Sequence, residues 1–188
     1  MMQQLDLSTI SIITGVMTIV FFLPALLFPD QTLARCKTLP RSSVLAWILT
    51  ALAVGWAGWL LYNAPFLAEI PHSQTAVIIL TPLSFLALVF FLDELLAARA
   101  FGGILLLAPR YILDAAFMND SGWKLVMTLF AYVIVITGVL LVLSPFRFRT
   151  IAQALLRTKS SGRLAGATGV GLGVLIVVLA MTAYKINT

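Results

Sequence analysis

Six runs of about twenty apolar residues follow one another along the chain, at about 8–28, 43–62, 74–92, 95–117, 125–144 and 164–184. An α-helix rises about 1.5 Å per residue and the hydrocarbon core of a bilayer is about 30 Å thick, so each run has the length of a transmembrane helix. The alternative, a water-facing globule, fails on composition. Of 188 residues 61% are hydrophobic and only 10% are charged, whereas a soluble domain carries charge on about a quarter of its residues. The sequence therefore predicts an all-α integral membrane protein of six transmembrane helices, with residues 1–188 forming a single polytopic membrane domain. The first run is preceded by MMQQLDL, which has Asp6 and no basic residue. A secretory leader needs a basic n-region and a shorter apolar core, so this run is expected to be a retained helix.

The fourth run is the least regular. It reads ELLAARAFGGILLLAPRYILDAAF, with Arg99, Pro109, Arg110 and Asp114 inside an apolar stretch, and by composition it fits a span, a re-entrant hairpin or a surface helix. Loop charge selects among these, because Lys and Arg near helix ends collect on the cytoplasmic side. If all six runs span, one side holds Arg35, Lys37, Arg41, Arg99, Arg147, Arg149, Arg157, Lys159 and Arg163, which is nine of the twelve basic residues. If the fourth does not span, the two basic loops fall on opposite faces and the asymmetry vanishes. Six spans with both termini on the outer side follow. Trp56, Trp59, Tyr62, Trp123 and Tyr184 then form an outer aromatic belt, and Trp47, Phe146 and Phe148 an inner one. The expected location is a bacterial inner (cytoplasmic) membrane.

The sequence carries signs of an internal repeat. ITGV occurs at Ile13–Val16 and again at Ile136–Val139, and each copy is followed by R-x-K-x-x-x-R, at Arg35–Arg41 and Arg157–Arg163. Tyr62 follows Arg41 by 21 residues, as Tyr184 follows Arg163. Helices 1 and 2 thus resemble helices 5 and 6, a parallel hairpin repeat of the kind from which membrane proteins are often assembled. Helices 3 and 4 match more weakly, through Thr81-Pro82 and Arg99, so three hairpins are conceivable.

Small residues mark where helices can approach. Ala165, Gly169 and Gly173 recur every four residues in the last run, as do Gly162 and Gly166. Such small-xxx-small faces allow close backbone contact, the main source of helix association in lipid. They are expected to pack against the chain's own helices, with contact to another subunit as the alternative. Between the fifth and sixth runs, Phe148, Ile151, Ala152, Leu155 and Leu156 fall on one helical face. Arg147, Arg149, Arg157, Lys159 and Arg163 surround it, the pattern of an interfacial helix whose cations meet anionic lipid headgroups. The net charge of +5 is accounted for by such contacts, and no nucleic-acid partner is implied.

Polar chemistry is sparse. One cysteine, Cys36, and one histidine, His72, cannot assemble a soft-metal site or a bis-histidine haem, so no cofactor is expected. No Ser/His/Asp, Cys/His, HExxH or paired-carboxylate pattern is present, and the expectation is a non-enzyme. Asp93 and Glu94 are adjacent and point to different sides of a helix. Arg110 and Asp114 are the exception. They are spaced to meet on one helix face, and with Arg99 at the inner interface Arg110 lies eleven residues, roughly 16 Å, further along. They form a possible intramembrane polar site, or else Arg110 snorkels to the headgroups. The sequence favours a structural, assembly or accessory subunit of a larger membrane complex, partnered by other membrane subunits or by itself. A small channel or transporter built from repeated hairpins is the alternative.

Overall fold

The computed structural model describes residues 6–29, 31–32, 43–91, 96–144 and 159–184. Their regular structure is helical: α1 (Leu7–Leu27), α2 (Ser43–Tyr62), the short α3 (Pro65–Ala68), α4 (Ser73–Phe91), α5 (Leu96–Leu107), α6 (Pro109–Met118), α7 (Lys124–Leu143) and α8 (Lys159–Thr182). In lipid every backbone N–H and C=O must be satisfied within the chain, which a helix does unaided. Leu7–Leu27, Ser73–Phe91, Leu96–Met118, Lys124–Leu143 and Ser160–Thr182 are long and apolar enough to cross a bilayer, and Ala46–Tyr62 is a shorter apolar helix. The chain is a multi-pass membrane protein.

The fourth apolar run is two helices. Pro109 has no N–H to give to the residue four back, so the hydrogen-bond ladder is interrupted between α5 and α6 while Ala108 keeps a helical backbone, φ −60° and ψ −41°. Tyr111 N–H reaches only three back, to the Ala108 carbonyl at 3.3 Å. Elsewhere threonines return their hydroxyl to the carbonyl one turn behind: Thr14 to Ile10, Thr81 to Val77 and Thr50 to Ala46, each at 2.7 Å. These contacts keep the hydroxyl satisfied without a partner from another helix.

Contacts group the chain into two compact units, residues 1–36, 108–136 and 148–188 in one, and 37–107 with 137–147 in the other. The first is built on α1 and α8, which pack antiparallel along their length. A Cβ at Gly166 would meet Ala25 and Leu26, one at Gly169 would meet Phe22, and one at Gly173 would meet Ile19 and the Gly15 carbonyl. Where the pair ends, Leu7 and Ile10 of α1 close with Ile176, Ala180 and Tyr184 over Ile112, Ala116, Met127 and Ala131. The start of α1, the end of α6, the start of α7 and the end of α8 therefore share one end of this unit.

In the second unit α2 packs on α4 and α5. Ala46 at the start of α2 contacts Leu96 and Ala97 at the start of α5, with Leu88 and Val89 of α4 against them. Gly58 faces Thr81, whose Oγ1 would lie 2.5 Å from an added Cβ. Gly102 of α5 and Gly138 of α7 face each other, each carbonyl within 3.0 Å of the Cβ position of the other.

Candidate functional site

The last run supplies the chain's longest small-residue face. Gly162, Gly166 and Gly173 are buried and Ala165 and Gly169 half-buried; continued through Ile176, Ala180 and Tyr184, all fully buried, they form one stripe along α8. Gly166 of one series and Gly169 and Gly173 of the other thus meet the same helix, α1. That shared partner was not legible in the spacing, since only the position of Phe22 decides that Gly169 shares the face of Gly166.

One end of this unit is held by a polar turn. Asn119 Oδ1 accepts from the Ser121 N–H at 2.9 Å and the Asn119 carbonyl accepts from Lys124 Nζ at 2.8 Å. The Tyr184 hydroxyl donates to the Trp123 carbonyl at 2.9 Å, a link across 61 residues. Burial pushes the Tyr184 phenol above its ordinary value, which keeps it a protonated donor. Sequence reasoning placed Trp123 and Tyr184 at one level of the membrane but gave no sign of this bond.

Arg110 and Asp114 do meet. Arg110 Nε lies 3.7 Å from Asp114 Oδ2, with the side chains 50% and 70% exposed. The pair sits on the outward side of α6, opposite Pro109, Ile112 and Ala116, which are buried. The same outward face carries Tyr111, Phe117 and Met118, 36%, 86% and 63% exposed. Arg110 to Met118 is eight residues, so Arg110 lies about 12 Å along the helix axis from the end of α6.

Two buried polar atoms, Ser11 Oγ and Arg99 Nε, lack a hydrogen-bond partner among the described residues. His72 is exposed and takes a left-handed backbone, φ 66°, where its carbonyl accepts from the Ala76 N–H at 3.0 Å to begin α4. Of the basic residues read as headgroup contacts, Arg163 is exposed on α8. Lys159 is the first residue of that helix, and Arg147, Arg149 and Arg157 lie outside the described residues, as do Cys36, Asp93 and Glu94. No group of three or more His, Cys, Asp or Glu suited to a metal ion occurs among the described residues. Comparison with protein-family models, with characterised proteins and with solved structures finds no match for this chain.

Proposed function

We propose that this protein is a non-catalytic subunit that packs within a larger assembly of a bacterial inner membrane, serving a structural, assembly or accessory role. The observation that carries this reading is the nature of the buried surface. Among the described residues, the buried polar side chains are Ser8, Ser11, Thr50 and Ser121, and the rest of the buried set is apolar. Helices held by glycine contacts over apolar cores suit a protein that joins other spans better than one that passes a polar solute. The cationic residues Arg147, Arg149, Arg157, Lys159 and Arg163 would anchor the inner face to anionic headgroups.

Six spans with both termini on the outer side belong to the same reading. Antiparallel packing of α1 on α8 brings the start of α1 beside the end of α8, which supports an even number of crossings. Five helices meet the length for a span, and the shorter apolar helix Ala46–Tyr62 would serve as the sixth. The hairpin repeat is supported by the contacts of its motif: Gly15 and Gly138, the glycines of the two ITGV copies, each meet another glycine at carbonyl distance, Gly173 and Gly102.

The backbone hydrogen bond lost at Pro109, beside Arg110 and Asp114, favours a second reading, a small channel or transporter. Its pathway would need walls from contacts between copies, because the buried faces described are apolar. The test is to purify the full chain from native membranes in mild detergent and identify what accompanies it. Stoichiometric foreign membrane subunits are expected; a protein that comes alone and transports ions or solutes in liposomes would overturn the subunit role.

A further inference from the structure

We propose that the connection between α2 and α4, residues 63–72, is a lipid anchor: Phe66 and Ile70 seat among the acyl chains of the adjoining leaflet and hold this unit at a fixed depth. The proposal rests on the reading of α2 and α4 as membrane spans, which places their connection at a bilayer surface. It reads NAPFLAEIPH and is apolar on both sides. Ala64 is buried and Leu67 half-buried, and α3 packs back on α4 within the same unit. On the outside, Phe66 and Ile70 are 65% and 53% exposed. Both would be at least as exposed in this unit taken by itself, since removing other chain can only uncover surface. A connection that faces water has no use for a second apolar side.

The backbone fits the same placement. Where water is scarce, irregular backbone persists only if its polar groups are satisfied. Asn63, Ala64, Leu67 and Ile70 donate their N–H groups to the Trp59, Leu61, Ala64 and Leu67 carbonyls at 3.0–3.2 Å, and Pro65 and Pro71 have no N–H to satisfy. Asn63 Nδ2 donates to the Trp59 carbonyl at 2.8 Å and the Ser73 hydroxyl donates to the Leu67 carbonyl. The polar side chains at the two ends of the connection are thus turned onto its own backbone. The exposed apolar surface of the spans runs along the chain into this segment, with Trp59 and Tyr62 before it and Ile78 and Ile79 after it, each at least 40% exposed. What covers the spans is lipid, and Phe66 and Ile70 extend that surface to the boundary where interfacial segments bury an apolar face about 5–10 Å deep. Glu69 and His72, both exposed, remain for the headgroup layer.

The experiment is nitroxide labelling of single cysteines in the full chain, with Cys36→Ser as background, in vesicles of phosphatidylcholine and phosphatidylglycerol. Electron paramagnetic resonance reads collisions with oxygen, which concentrates among acyl chains, against those with a water-soluble nickel chelate. At Phe66→Cys and Ile70→Cys oxygen collisions should exceed nickel collisions about threefold, and at Glu69→Cys the order should reverse. Nickel dominance at Phe66 and Ile70 describes a connection in water and overturns the proposal. Few collisions with either reagent describe a cover of protein and overturn it too. Anchoring by the native side chains is read with the label at Glu69→Cys, where Phe66→Ser/Ile70→Ser should raise nickel collisions about twofold; an unchanged ratio shows that these two residues hold nothing. Leu52→Cys and Leu83→Cys, exposed mid-helix positions on α2 and α4 (58% and 56%), report on the spans. Nickel dominance there would bring down the span reading and the proposal with it, an outcome distinct from loss of the anchor alone.

Discussion

The contact between α1 and α8 makes a quantitative claim about Gly166. Replacing it with alanine adds one methyl group, which would lie 2.5 Å from the Leu26 backbone nitrogen and 2.7 Å from its Cα, where ordinary contact begins at 3.4 Å. The neighbours are helix backbone, so the shortfall of about 0.9 Å has to be met by separating the helices rather than by turning a side chain. A radial gap of that size forfeits a quarter to a half of each dispersion contact it opens. The cost belongs at the upper end of overpacking, about 3 kcal/mol. Against it stands the better helix propensity of alanine, about 1 kcal/mol. Gly166→Ala is therefore expected to destabilise the fold by about 2 kcal/mol. Gly171 provides the control, since a Cβ there meets nothing within 4 Å; Gly171→Ala should gain up to about 1 kcal/mol by propensity alone. The two variants each add one methyl to the same helix and should stand about 3 kcal/mol apart, more than a hundredfold in the folded-to-unfolded ratio. Reversible unfolding in mixed detergent and SDS, followed by tryptophan fluorescence or circular dichroism, reads the difference. If both variants unfold within about 0.5 kcal/mol of each other, the close approach of α1 and α8 is not what holds this unit together.

Further outcomes test other contacts. Gly102→Val should weaken the second unit by about 2 kcal/mol or more, because the added Cβ alone would meet the Gly138 carbonyl and Leu141 Cβ within 2.9 Å; the same detergent titration checks it. Tyr184→Phe removes the donor to the Trp123 carbonyl and should cost about 1 kcal/mol. The phenol's raised value also sets a pH dependence: the stabilisation is complete below the unfolded value of 10.0 and is lost as pH rises through the higher folded value, so the wild type should lose stability above pH 10 and Tyr184→Phe should lose less. His72→Gly should raise stability by up to about 1 kcal/mol, since glycine adopts φ 66° without steric penalty; an unchanged unfolding midpoint would show that the turn tolerates the histidine.

The helices and their approximate ends were legible because lipid leaves a chain few options: apolar length fixes the span, and a polar turn such as Asn119–Trp123 fixes where it stops. Gly162 with Gly166, and Ala165 with Gly169 and Gly173, were legible as small-residue packing surface for the same reason, as only small residues let two backbones approach. What covers that face was not legible. The spacing is equally compatible with any neighbouring helix, and the choice of α1 depends on Phe22 and Leu26 matching it in antiparallel register. The orientation of Arg110 and Asp114 was also hidden. Their i, i+4 spacing states that they can meet, but which side of α6 faces the core is set by Ile112 and Ala116 clustering with Met127 and with Leu7, the last over a hundred positions away.

The two ITGV copies show how a repeated motif can keep one physical task while its surroundings change. In α1 the motif's glycine approaches Gly173 of α8, and in α7 it approaches Gly102 of α5, with glycine opposite glycine in both cases. Thr81-Pro82 of α4 sits at the remaining contact of this kind, against Gly58 of α2. If the runs are taken as three successive hairpins, each contact joins the first helix of a hairpin to the second helix of another: the first run to the sixth, the third to the second, the fifth to the fourth. Thr14 and Thr81 each return the hydroxyl to their own helix at 2.7 Å, so a polar residue beside the contact adds no unsatisfied group to it. A glycine or a threonine faces each of these junctions, because only a small residue there lets the helices close.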